Sequence, residues 1–373
     1  MDNPAALWDM DILVKPPSFI WTNHTKNNAR GLFFESELYK GKPTHVFAYV
    51  AMPEDTRQKV PAVVLVHGGG GTAFPDWCEQ WAKRGYAAIA LDLTGAGPDK
   101  KPLADGAPSE RDEVKFFAHG ENLKDAWSYH AVANVIKAHS LIRSFPEVDP
   151  DRTGITGISW GGYLTCLVVG IDHRFKAAVP VYGCGFLHEN SVWLPYFEKL
   201  GPDGTAAWVK HFDPSSLLEK SRIPMLFVTG TCDFAYPLDS FKKSYSLVSD
   251  HTLLVSPRMG HGHKQGWGPK EIGLFLDAYL ADNRVKPLAK LSNIQRHGPR
   301  VSSTVKSEIP IKYAALHYTT DSGEWKQRKW QSIPAEYGDG SVTADLPNEK
   351  GITLFFTVVD ERGATVSTEY EGI

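Results

Sequence analysis

Cysteine is scarce and scattered in this chain. Cys78, Cys166, Cys184 and Cys232 are the only four, with no C-x-x-C pair among them. That spacing excludes a disulfide scaffold and a zinc knuckle and leaves the thiols as small buried filler. No apolar stretch approaches the ~18 residues that cross a bilayer, so no membrane partner is expected. An excess of one charge is also missing: 40 Lys and Arg against 43 Asp and Glu give a net charge of −3. The basic footprint of a nucleic-acid binder is therefore absent. Fourteen histidines invite a metal reading, but none lies in H-E-x-x-H, and His261-Gly-His263 alone is a poor ligand set. The glycines 68–71 are not followed by Lys-Ser/Thr and form no clean G-x-G-x-x-G, which argues against a phosphate cradle. No metal and no cofactor are expected. Internal repeats and low-complexity tracts are missing as well.

The amino terminus, "MDNPAALWDMDILVKPPSF", carries acids where a secretory leader carries basic residues, and it has no continuous apolar core. The expectation is a cytosolic chain or a mature form whose leader has been removed. Asn23-His24-Thr25 matches a glycosylation acceptor, a match without weight unless the chain is secreted.

What is present is a change of rhythm. Residues 1–30 read as an N-terminal arm, and "GLFFESELYKGKPTHVFAYVAM" at 31–52 alternates around Gly-Lys-Pro as an antiparallel pair. From Val60 come short continuous apolar runs: "VPAVVLVHG", "YAAIALDL", "TGITGIS", "KAAVPVYG", "IPMLFVTG" and "HTLLVSP". Such runs are strands covered on both faces, and the long segments between them predict β-α-β units and a mostly parallel sheet. One separator, 128–144, places Val132, Val135, Ile136, His139 and Ile142 at helical spacing, which predicts an amphipathic helix. The aromatic stretch 185–222 interrupts the alternation and reads as a cap over one end of the sheet. Periodicity lapses at 284–302, read as a linker. Short alternating strands with turn signals then fill 303–373, a small all-β, sandwich-like module.

"GISWGG" places Ser159 between an apolar strand and "YLTCLVVG", a plausible buried helix. Strand, tight glycine turn and helix are what a nucleophile elbow needs. A serine hydroxyl requires a base and an orienting acid, and both have candidates at later strand ends. Asp233 follows "IPMLFVTG", and His261 follows "HTLLVSPRMG". Asp239 competes as the acid, and His263 competes as the base. Asp233 would instead cap a helix starting near Pro237 if it were merely structural. Strand carboxyl ends converge on one rim of an open α/β sheet, so residues this far apart in sequence can meet there. Gly68 to Gly71 end an early strand; backbone N–H groups from Gly69 and Gly70, joined by that of Trp160, are the candidate oxyanion donors. Trp77, Trp127, Trp193 and Trp267 are candidates either for packing or for lining a pocket, with Trp193 in the cap as the substrate-binding choice.

Taken together, "HGGGG", "GISWGG", "GTCDFAYP" and "MGHGH" resemble the α/β-hydrolase superfamily, in particular its acetyl xylan esterase-like and dienelactone hydrolase-like members. The resemblance covers residues 30 to 282, within a catalytic domain read as 31–283. It implies an α/β-hydrolase fold with a Ser159–His261–Asp233 acyl-transfer site, and a small-molecule or polysaccharide-linked ester as the partner. "GISWGGYLT" also resembles the elbow of prolyl oligopeptidase-type peptidases, but only about 60 residues precede the first core strand, too few for the β-propeller that gates those enzymes. The terminal β module resembles an appendage carried by some secreted bacterial hydrolases.

Overall fold

The computed structural model describes residues 3–117, 122–281 and 285–373. A short helix α1 (Met10–Leu13) leads into three antiparallel strands, β1 (Phe19–Lys26), β2 (Ala29–Glu35) and β3 (His45–Ala51). Strands and helices then alternate: β4 (Val60–Val66), α2 (Pro75–Lys83), β5 (Ala87–Leu91), α3 (Asp112–Phe117), α4 (Trp127–Arg143), β6 (Val148–Ile158), α5 (Trp160–Val169) and β7 (Ala177–Val181). After β7 come α6 (Leu194–Phe212), β8 (Met225–Gly230), α7 (Leu238–Tyr245), β9 (His251–Ser256), α8 (His263–Trp267) and α9 (Lys270–Leu280). The sheet order is β1-β2-β3-β5-β4-β6-β7-β8-β9, and every pairing among β4 to β9 is parallel.

The six continuous apolar runs are these six parallel strands. Every residue of β4, β5, β7 and β8 is buried, because helices cover both faces and no position along the strand meets water. The helix expected to be amphipathic, α4, differs: every residue from Trp127 to Ile142 is buried. The N-terminal arm covers its outer face. Trp8 stacks on Tyr129 at 6.1 Å and donates its indole N–H to the Tyr129 carbonyl at 3.1 Å. Ser140 donates its hydroxyl to the Leu13 carbonyl at 2.8 Å. No described helix is long and apolar enough to cross a membrane.

The carboxy-terminal strands are β10 (Lys290–Leu291), β11 (Gln295–His297), β12 (Arg300–Lys306), β13 (Ile311–Thr319), β14 (Gln331–Pro334), β15 (Glu336–Gly338), β16 (Ser341–Asp345), β17 (Thr353–Asp360) and β18 (Thr365–Ser367). The stretch read as a linker thus contains strands of its own, while the boundary expected at 283/284 lies outside the described residues. Two antiparallel sheets face each other here. One is built on β12 and β16; the other, β18-β17-β13-β14, continues the central sheet beyond β9. The join is antiparallel, with Ser367 opposite Leu253.

Candidate active site

Between Ile158, the last residue of β6, and Trp160, the first of α5, there is one residue to turn the chain from strand into helix. Ser159 makes that turn at φ 58°, ψ −119°, a backbone state that costs an L-residue ~1–3 kcal/mol. Its neighbours hold it there: the Ser159 N–H donates to Val181 O and the Tyr163 N–H to Ser159 O, both at 2.9 Å. The glycines of the motif permit the crossing. A Cβ on Gly161 would lie 2.0 Å from the Val66 carbonyl oxygen, and one on Gly68 would lie 2.8 Å from Ser159 Cβ. Ser159 occupies the N-cap position of α5, yet its hydroxyl caps no backbone N–H and is left for another partner.

That partner is His261. Ser159 Oγ lies 2.9 Å from His261 Nε2, and His261 Nδ1 lies 2.6 Å from Asp233 Oδ2. With the imidazole neutral, this geometry has the hydroxyl donating to Nε2 and Nδ1–H donating to the carboxylate. Asp233 is 4% exposed, and its other oxygen accepts the N–H groups of Ala235 and Tyr236 at 2.9 and 2.8 Å. A buried carboxylate with both oxygens engaged is held in one orientation. The competing residues lie elsewhere. Asp239 accepts from Asn190 Nδ2 and from the Ser240 N–H. His263 Nε2 accepts the Gly68 N–H at 3.2 Å, and burial lowers its pKa to about 4, which keeps it neutral and able to accept. The Tyr182 hydroxyl donates to the Gly262 carbonyl, and its ring lies 4.4 Å from that of His261, so the imidazole rests on a fixed aromatic floor.

The glycine loop divides unequally. His67 is buried at its start, with Nδ1–H donating to Gly68 O at 2.7 Å and Nε2 accepting the Leu93 N–H at 3.0 Å. Burial lowers its pKa to about 4, which is the neutral state this pairing requires. Gly70, expected as an oxyanion donor, has its N–H engaged: it donates to Glu110 Oε1 at 2.5 Å. Its φ of +70° is a left-handed backbone state that suits glycine and turns the chain after that amide. The Gly69 and Trp160 N–H groups have no hydrogen-bond acceptor among the described residues.

The opening beside Ser159 and His261 is rimmed by Trp193, Tyr196 and Phe234. Trp193 stands 4.5 Å from the Trp160 ring and 5.0 Å from that of Tyr236. Of the four tryptophans weighed from sequence, Trp193 lines this opening, whereas Trp77 and Trp267 pack together at 5.3 Å and Trp127 donates its indole N–H to Leu93 O. Two charged residues were not singled out. Lys115 is buried, with its ammonium 4.4 Å from the Trp160 ring centroid and 3.2 Å from Asp112 Oδ1. Burial raises the Glu110 pKa to about 7. Their stretch, "SERDEVKFF", has the composition of a solvated surface turn, so nothing local marks these side chains as inward-facing. Among the described residues no group of three or more His, Cys, Asp or Glu is placed to hold a metal.

Comparison with known proteins follows the same two lines as the motifs. The acetyl xylan esterase family profile matches residues 26–192, and the prolyl oligopeptidase family profile matches residues 117–271. The "Probable dipeptidyl-peptidase 5" of Emericella nidulans is 28% identical over 68% of this chain and 38% of its own length. The "Putative carboxymethylenebutenolidase" of Yersinia pestis is 24% identical over 60% of this chain and 75% of its own. The chain spans between a fifth and two fifths of the length of the dipeptidyl-peptidase relatives named first in sequence similarity. Among solved structures, the acetyl xylan esterase from Paenibacillus sp. R4 superposes with a TM-score of 0.63 at 19% identity, covering 75% of this chain and 95% of that one. The Pyrococcus horikoshii acylaminoacyl peptidase gives 0.52 at 19% identity, over 69% of this chain and 43% of that one.

Proposed function

Because the chain belongs to the α/β-hydrolase superfamily of serine hydrolases, we propose that it is a carboxylesterase that removes small acyl groups, acetyl above all, from a carbohydrate or related alcohol. The observation that carries this reading is the continuous relay from Asp233 through His261 to Ser159, opening under an aromatic rim of Trp193, Tyr196 and Phe234. Ser159 Oγ attacks the ester carbonyl as His261 Nε2 takes its proton, and Asp233 stabilises the imidazolium. The Gly69 and Trp160 N–H groups, which have no other acceptor among the described residues, receive the oxyanion. A missing donor of this kind costs about 10²–10³ in turnover. Collapse of the tetrahedral adduct passes the proton from His261 to the leaving alcohol and leaves an acyl-serine. Water, deprotonated by the same imidazole, attacks the acyl carbon and releases the acid.

The rim supports the substrate class. Trp193 packs between Trp160 and Tyr236, and in this reading it narrows the acyl side, so a longer chain meets a wall rather than gaining the ~0.8 kcal/mol of each buried methylene. Aromatic faces also suit the C–H edges of sugar rings. The prolyl oligopeptidase profile match keeps a peptidase as the second reading. The deciding measurement is kcat/KM for acetyl, butyryl and octanoyl esters, acetylated xylan and an aminoacyl anilide. Acetyl esters are expected to lead. A preference for octanoyl would sink the small-acyl pocket, and a preference for the anilide would establish the peptidase.

A further inference from the structure

The carboxy-terminal strands do more than extend the sheet. Asp233 follows β8 and His261 follows β9, and these are the two strands beside the join to β18. Ser367 of β18 accepts the Val255 N–H on its hydroxyl at 2.9 Å, one residue before β9 ends. On this side lies a small apolar cluster separate from the main cores: Leu238, Val255, Trp330 and Phe355, each at most 6% exposed. Trp330 meets Phe355 edge-on at 5.1 Å, and Cys232 packs against the same cluster. The Cys232 thiol approaches the Arg328 carbonyl at 3.9 Å.

Cys232 and Leu238 bracket the turn that carries Asp233. One immediately precedes the acid and the other opens α7 beyond it. Both pack into the cluster formed with Trp330, the residue before β14, and Phe355 of β17. The base side is tied in as well: the Arg258 N–H, in the loop leading to His261, donates to Thr231 Oγ1 at 3.2 Å. A second strut runs to α7, where Lys242 Nζ donates to the Tyr370 carbonyl at 2.9 Å. The Trp330 indole N–H is buried with no hydrogen-bond partner among the described residues, so fit, not a polar contact, sets the position of that ring.

We propose that Trp330, backed by Phe355, is a positioning residue for the catalytic relay: the carboxy-terminal strands wedge the Asp233 turn and the end of β9 at the separation the Asp233–His261 bond requires. The proposal rests on the reading that Asp233 and His261 are the acid and base. Removing the wedge loosens the carboxylate from Nδ1 of His261. The imidazolium that forms as Ser159 attacks then loses its partner, so turnover falls while substrate binding is kept.

The test compares Trp330→Ala, Trp330→Phe and Val342→Ala, the last a buried position in β16 on the opposite sheet. Each is assayed for kcat and KM on an acetyl ester, with folding checked by circular dichroism. Trp330→Ala is expected to lose on the order of ten-fold in kcat with KM within about two-fold. Trp330→Phe should recover most of the loss, and Val342→Ala should leave kcat as in the wild type. If Trp330→Ala does not fold, Phe355→Leu is read in its place with the same expectations. A folded wedge variant with wild-type kcat overturns the proposal, and so does an equal loss in Val342→Ala. Wild-type activity in Asp233→Ala would instead overturn the reading of the site itself.

Discussion

Replacing Ser159 by glycine and, separately, by alanine isolates the backbone strain at the elbow from the chemistry of the hydroxyl. Both variants lack Oγ, so the lost bond to His261 cancels between them. What remains is the Cβ. At φ 58°, ψ −119° the residue lies outside the left-handed helical well, and an L-side chain there pays ~2–3 kcal/mol, the upper part of the range for such states. Glycine escapes that cost but loses more chain entropy on folding, about 0.5–1 kcal/mol. The glycine variant should therefore be more stable than the alanine variant by about 1–2 kcal/mol, contrary to the usual ranking in a strand–helix junction. With 373 residues and an unfolding entropy near ~2.1 cal/mol/K per residue, that difference corresponds to a Tm shift of ~1–3 °C. Urea melts followed by tryptophan fluorescence, paired with scanning calorimetry, resolve it. An alanine variant as stable as the glycine variant, or more so, would mean that the turn is not strained and that its conformation is not imposed by the crossing of β6 and α5.

Ser159→Ala should remove nearly all turnover, on the order of 10⁶-fold by analogy with serine hydrolases, and an organophosphonate should label Ser159 in peptide mass mapping; an adduct on another serine refutes the assignment. His261→Ala should be as inactive as Ser159→Ala. His263→Ala, which loses the acceptor for the Gly68 N–H and the ring contact with Phe74, should keep activity to within about a hundred-fold; the reverse ranking would exchange their roles. Burial lowers the His317 pKa to about 4, while both its ring nitrogens meet hydroxyls. The unfolded chain binds that proton near 6.5 and the folded chain only near 4, so this contribution is complete above pH 6.5 and is lost as pH falls towards 4. The stability gap between wild type and His317→Gln should accordingly narrow by up to about 3 kcal/mol across that window, and a gap independent of pH would show the histidine is not buried neutral. Exhaustive chelation should leave ester hydrolysis within a factor of about two, since the relay supplies its own nucleophile; loss of activity restored by zinc or calcium would overturn the mechanism.

The parallel sheet and the strand–turn–helix elbow around Ser159 were legible because both are written in short-range patterns. A strand covered on both faces must be apolar at every position, and a one-residue elbow must be flanked by glycines wherever backbone approaches backbone. Asp233 and His261 were legible for a related reason: each follows an apolar run, and strand carboxyl ends share one rim. The choice of His261 over His263 needed more than proximity, since the two differ only in which of them reaches Ser159 and which meets the glycine loop. Tertiary structure alone decided that Gly70 gives its N–H to Glu110, forty residues on, and that Lys115 turns inward over Trp160. It also decided that α4 has no wet face, because Trp8 and Leu13 arrive from more than a hundred residues away. The fastening of β18 to β9 is of the same kind. Strand edges carry the same amide groups whatever their sequence, so which two edges meet is settled by what packs around them: here Val255 and Leu238 against Trp330 and Phe355.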